Sequence, residues 1–186
     1  MRRALVAALL AAALVTPGAY GGPPKPQLVD PRGDTSIPSH DIVSGRLSSF
    51  LSRGRPHLRV ELTLAAAPAV PIEHLFGFTN GCDELVFRYT WTGTSATSAA
   101  AIDQWNYCYR FERRMPDATF PVAFSVRGTT LTWQMPYEHG IKRGSKLIYL
   151  FGASCVQMTC VNFAAPVTDS AKEWQPYVVG SDLPRR

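Results

Sequence analysis

Residues 57–68, HLRVELTLAAAP, place Leu58, Val60, Leu62 and Leu64 at every second position, with Arg59, Glu61 and Thr63 between them. A period of two is the mark of a β-strand with one buried and one wet face. Such a strand cannot stand alone. Its backbone groups need neighbouring strands, and its leucines and valine need a second layer to cover them. This stretch therefore predicts a sheet covered by another sheet.

Further strands can be read along the chain. Residues 42–51 form one, joined to residues 57–64 through a loop containing Gly54. Residues 75–79 form a short strand, and Asn80-Gly81 is a pair that favours a tight turn. Residues 84–92 put Leu85, Phe87, Tyr89 and Trp91 on one face and Arg88 and Thr90 on the other. In residues 102–113, Trp105, Tyr107, Tyr109 and Phe111 alternate with Asn106, Cys108, Arg110 and Glu112. Phe120, Val122, Phe124 and Val126 read as one alternating strand, and Leu131 and Trp133 as the inward residues of the next. Residues 146–153 are almost continuously apolar, which predicts burial on both faces. Short last strands are expected near Val161 and Tyr177. The fold class is thus all-β, a two-sheet antiparallel β-sandwich of about eight to ten strands. The 186 residues fit one domain, assigned to residues 30–179.

Ahead of it, residues 1–21 combine Arg2 and Arg3, an apolar run too short to span a bilayer, and a small-residue segment. That order predicts a secretory signal peptide and hence a secreted, extracellular protein with no membrane span in its mature chain. Residues 22–29 are a Pro- and Gly-rich lead-in, and residues 180–186 are expected to form a mobile tail. Cleavage would remove two of the basic residues behind the formal charge of +5. The remaining surplus is mild, and the basic clusters at 53–59, 110–114 and 142–146 have acidic neighbours or lie in turns. That pattern argues against nucleic acid as a partner.

Four cysteines in an exported chain favour disulfides over thiols. Setting Cys82 opposite Cys108 across antiparallel strands also sets Leu85 opposite Trp105 and Tyr89 opposite Ala101, and it leaves the polar segment near 92–98 as the loop. The expected pairs are Cys82 with Cys108 and Cys155 with Cys160. Zinc is the alternative, but the spacing of these four residues suits it poorly.

The order DPRGD, DIVSGRL, a basic loop and LRVELTLAAAP resembles the opening of secreted β-sandwich domains of the DOMON type. It is also similar to the carbohydrate-binding modules attached to xylanases. TTLTWQMPYEHGIKRGSKLIYLF echoes the late strands of such domains. The resemblance implies a jelly-roll-like sandwich that binds a ligand, often sugar or haem, rather than a catalyst. A haem would need axial ligands from Met115, Met135, Met158 or a histidine, and the sequence singles out no pair.

Candidate site residues follow from side-chain chemistry. Trp105, Tyr107 and Tyr109 share parity with Leu85 and Phe87 and are assigned to the core. Trp91, Trp133, Tyr137 and Trp174 lie nearer strand ends or loops and are the candidates for a sugar-stacking platform. Asp30, Asp34 and Asp41 surround one turn and make calcium the one cofactor the residues suggest. The competing role for these aspartates is to start turns by accepting nearby amides. No catalytic residue is assigned. His40, His57, His74 and His139 read as loop residues without a metal-binding spacing, and GASCV around Ser154 lacks the second glycine of a nucleophile elbow. The expected function is a non-catalytic, extracellular ligand-binding domain for carbohydrate. The alternatives are a protein-interaction or envelope structural protein and, third, an enzyme whose site assembles only in space.

Overall fold

A computed structural model describes residues 27–30, 33, 35–94, 98–106, 116–156, 159–166 and 176–184. Leu58, Val60, Leu62 and Leu64 are at most 1% exposed there. In chain order the strands are β1 (Leu28–Val29), β2 (Ile42–Ser52), β3 (Arg55–Leu64), β4 (Ile72–Asn80), β5 (Asp83–Trp91) and β6 (Ala99–Asn106). They continue with β7 (Ala118–Pro121), β8 (Ala123–Arg127), β9 (Thr130–Pro136), β10 (Lys146–Val156), β11 (Thr159–Pro166) and β12 (Tyr177–Val178). All pairings are antiparallel. One sheet of five strands runs β1-β2-β3-β9-β8. The other, of seven, runs β7-β6-β5-β4-β10-β11, with β12 also paired to β10. The chain is therefore an all-β, two-sheet sandwich. The count exceeds the expected range because two strands have only two residues and another is split.

That split explains how the sandwich closes. Only Val122 separates β7 in the second sheet from β8 in the first, so the single strand read from Phe120 to Val126 is in fact two, with the crossing between them. At the opposite edge β1 pairs with both β2 and β11. The two layers are thus linked along both sides, which leaves little open strand edge.

Turn chemistry sets the hairpins. β2 and β3 join through Arg53 and Gly54, whose φ values of 50° and 75° give the two-residue turn that matches strand twist. Asn80 pairs with Asp83, so the next turn is Gly81-Cys82, one residue later than expected.

The β5–β6 register also corrects the sequence reading. Leu85 faces Gln104 and Tyr89 faces Ala100, a one-residue slip from the expected pairing. A slip of one reverses the faces of the whole strand. Ile102, not Trp105, enters the core, and half-buried Trp105 lies opposite Glu84 on the outer face. The bidentate contact of Arg88 with Asp103 and the hydrogen bond from Asn106 to Asp83 fit this register.

The interior is aromatic at its centre. Tyr89 stacks on Phe124 at 4.4 Å, and Phe87 meets Trp133 edge-on. Trp133 Nε1 donates to the Arg88 carbonyl at 3.2 Å, tying β9 to the opposite sheet. Double burial of β10 fails at Tyr149, where a register shift and a φ of 50° turn the ring outward, 60% exposed.

Cys155 and Cys160 are bonded and face each other across β10 and β11. Cys82 is disulfide-bonded; its expected partner Cys108 lies outside the described residues, as do residues 1–21. Residues 180–184, expected to be mobile, fold back instead, with Asp182 accepting from Ser49 and Tyr177. Among the described residues no helix is long and apolar enough to cross a membrane.

Candidate functional site

Both layers carry their chemistry at the end of the sandwich where β5 stops at Trp91 and β10 at Val156. Alternation along β4 decides what goes where. Ile72, His74, Phe76 and Phe78 point inward, so Glu73 points out, opposite Thr90 on β5 and Cys155 on β10. Reading the strand only from Leu75 onward concealed this parity, which was the available signal for both Glu73 and His74.

Outside, the strand ends enclose a cleft of about 370 Å³. Ile72, Trp91 and Cys155 border it at the strand ends, with Ile72 and Cys155 buried and the Trp91 indole packed against the core, while Glu73, Thr90 and Thr92 supply polar groups. Thr90 Oγ1 donates to Glu73 Oε1 at 3.2 Å, and Arg88 Nη1 stands 3.8 Å from the same oxygen. Arg88 is held mainly by Asp103, with Nε 2.7 Å from Oδ2. Thr119 Oγ1 donates to the other oxygen of Asp103 at 2.7 Å. The hydrogen bond that Arg88 donates to Asp103, and after it the charges of Asp103 and Glu73, push the guanidinium up against the effect of its burial.

Inside, a polar row crosses β4, β10 and β11. His74 Nδ1 and Ser154 Oγ are 2.9 Å apart and both residues are fully buried. Ser154 pairs with Asn162, whose Nδ2 donates to Asp30 Oδ2 at 2.9 Å and whose Oδ1 accepts from the Ile42 amide. Tyr89 lies opposite His74 with its ring stacked. Burial, and after it the charge of nearby His40, pushes His74 down to about 3, so the imidazole is neutral. His40 is lowered by burial as well.

A serine bonded to a histidine is the beginning of a nucleophile–base pair. Here neither side chain reaches solvent, and His74 Nε2 has no acceptor among the described residues that could orient the ring as a triad acid does. The row reads as internal polar bonding that fixes the register of β4, β10 and β11. His74 is thus a core strand residue, not a loop residue.

The sequence-derived candidates scatter. Trp91 lines the cleft. Trp133 is fully buried and cannot form a platform, because β9 turns it inward with Leu131 and Met135. Tyr137 sits at the opposite end of the sandwich, in a separate cleft of about 270 Å³ with Leu51, Pro56 and Arg143. Trp174 and Asp34 lie outside the described residues. Asp41 Oδ2 accepts the Gly33 amide at 2.7 Å, and Asp30 is engaged by Asn162, so both carboxylates do the turn and strand bonding that aspartates commonly do. Among the described residues no three His, Cys, Asp or Glu side chains gather as a metal site.

Comparison with known proteins adds no relative. No family model, curated protein or solved structure matches the chain.

Proposed function

We propose that this is an exported, non-catalytic domain that binds extracellular carbohydrate in the cleft beside Trp91. The observation that carries the reading is the cleft's composition: Trp91, half-buried at the end of β5, borders the same concavity as two threonines and a glutamate. Pyranose faces stack on indole, and sugar hydroxyls pair with such polar groups. The resemblance to DOMON-type domains and xylanase-associated binding modules supports it, and so does the closed setting of the Ser154–His74 pair, which leaves the domain without an accessible nucleophile there.

The test is a glycan array followed by fluorescence titration of the wild type and Trp91→Leu, which keeps apolar bulk and removes the π face. At least one oligosaccharide should bind, and the substitution should weaken it by about tenfold or more, as loss of an aromatic stacking partner does. Circular dichroism checks that the variant is folded. An array with no retained glycan sinks the proposal.

A second reading, a protein-interaction domain, draws on the outer face of the seven-stranded sheet and its seam. Tyr149, Phe163, Val161 and Val29 are 60%, 62%, 46% and 48% exposed there. Apolar exposure concentrated on neighbouring strands is a common property of protein contact surfaces.

A further inference from the structure

We propose that the outer face of the five-stranded sheet holds a polysaccharide of uronic acids along a row of arginines on β3. The surface is separate from the Trp91 cleft and goes beyond the reading above. Leu58, Val60, Leu62 and Leu64 point inward, so parity puts Arg55, His57, Arg59 and Glu61 on the outer face. Side chains two positions apart on a strand follow one another at about 6.7 Å. Arg53 extends the row at the exposed hairpin tip. In the sequence Glu61 offsets this cluster, but folding sets it opposite Arg46 on β2, and those two side chains form a close ion pair. Glu138, which borders a cavity with His57, stands 3.6 Å from His139 Nε2. Among the described residues Arg53, Arg55 and Arg59 have no acidic partner. The outer face of β4, β5 and β6 has the reverse balance, with Glu73, Glu84 and Asp103 against Arg88, so the basic excess belongs to one sheet.

Arg59 is held in place without a counter-charge. Its guanidinium carbon lies 4.6 Å from the Phe50 ring centroid, and its Nε is enclosed with no acceptor among the described residues. A cation positioned by a ring rather than by a carboxylate keeps its charge for an outside partner. The planar guanidinium matches a carboxylate with two parallel hydrogen bonds. Ser48 on β2 and Gln134 on β9 flank Arg59 and offer a hydroxyl and an amide to sugar hydroxyls. An extended face with charge of one sign suits a linear anionic polymer. A nucleic acid fits less well, because it stacks bases on free rings, whereas Phe50 is covered by Arg59 and lies 5.3 Å from the His57 ring.

The experiment is calorimetry of the mature chain with an oligouronate, an uncharged glucan oligomer of equal length and a thymidine oligonucleotide of equal charge. The oligouronate should bind more tightly than either. Arg55→Gln with Arg59→Gln should weaken it by about tenfold, two solvent-exposed ion pairs' worth of affinity. Added salt should weaken it as well. Arg55→Gln alone, at an exposed position that no fold contact uses, should cost about threefold and keeps the test valid where circular dichroism shows that the double variant is unfolded. Arg127→Gln removes the same charge from the same face beyond the row, beside Thr130 and Thr63, and should leave affinity unchanged. Absence of oligouronate binding, binding that survives the β3 substitutions, or an equal loss in Arg127→Gln overturns the proposal. Equal or tighter binding of the oligonucleotide assigns the row to nucleic acid instead. Self-association that the same substitutions abolish assigns it to the acidic face of a second copy, and either result also overturns the proposal.

Discussion

His74 shows how one buried side chain makes the whole domain sensitive to acid. In the unfolded chain it takes a proton near pH 6.5, and in the folded chain burial, then the charge of His40, lowers this to about 3. The folded pKa is depressed, so the contribution is fully present above pH 6.5 and is lost as pH falls towards 3, where the unfolded state holds a proton that the folded state refuses. Within that window the loss approaches about 1.4 kcal/mol for each pH unit. Melting temperature measured against pH should therefore fall more steeply for wild type than for His74→Gln, although the variant starts lower because the bond to Ser154 is altered. Parallel curves would remove His74 from the account. Ser154, Asn162 and Asp30 share the same enclosed row, and their bonds explain how a neutral imidazole is tolerated on the otherwise apolar inward face of β4.

At the scale of strands, Gly77 raises a question, since glycine in the middle of a strand weakens it. Phe151 on β10 is its cross-strand partner, and a Cβ on Gly77 would overlap the Phe151 ring. The aromatic ring covers the glycine, a pairing that restores the lost side-chain contact. Phe151→Ala and Gly77→Ala should each lower stability by about 1–3 kcal/mol, one by removing the ring and the other by displacing it. Combined, they should lose at least about 0.5 kcal/mol less than their sum, because the new methyl occupies space the ring has left. Denaturant titration of the four proteins measures this coupling, and strict additivity would show that the ring does not need the glycine. Such pairs are not legible in a sequence, whereas the strands themselves are. Half-burial forces alternation on β3, β5 and β9, so their core faces can be read directly. Alternation also persists through Val122, where the chain stays extended while changing sheets, and so it concealed the crossing. It left the β5–β6 register ambiguous too, because both strands alternate and a slip of one yields an equally regular pattern. The cleft was the least legible part. Glu73, Trp91 and Cys155 come from three strands that only folding makes neighbours; Trp91 stood out as an aromatic candidate and Cys155 only as half of a disulfide.

For the molecule as a whole, cohesion of the two layers depends on the last described residues, which sit at the end of the sandwich opposite the cleft. β12 belongs to the seven-stranded sheet through β10, yet the residues after it reach the five-stranded sheet at Ser49. Asp182 Oδ2 accepts the Ser49 amide at 2.7 Å and Oδ1 accepts the Tyr177 hydroxyl at 3.1 Å, while Gly180 N donates to Ser49 Oγ. Burial pushes the Tyr177 phenol up, so it keeps the proton that it donates. One carboxylate thus satisfies donors from both layers, and removing it leaves the Ser49 amide without that acceptor. Asp182→Ala should lower unfolding free energy by about 1–3 kcal/mol, the usual consequence of stripping partners from enclosed donors. Because the latch joins the two sheets, the loss should appear as a lower urea midpoint with an unchanged slope, as expected when one cooperative unit unfolds. Glycan affinity at the distant cleft should not change. An unaltered midpoint would mean that this segment is a passenger on the fold, and a second transition would mean that the sheets unfold separately, with the links at β1 and Val122 too weak to couple them.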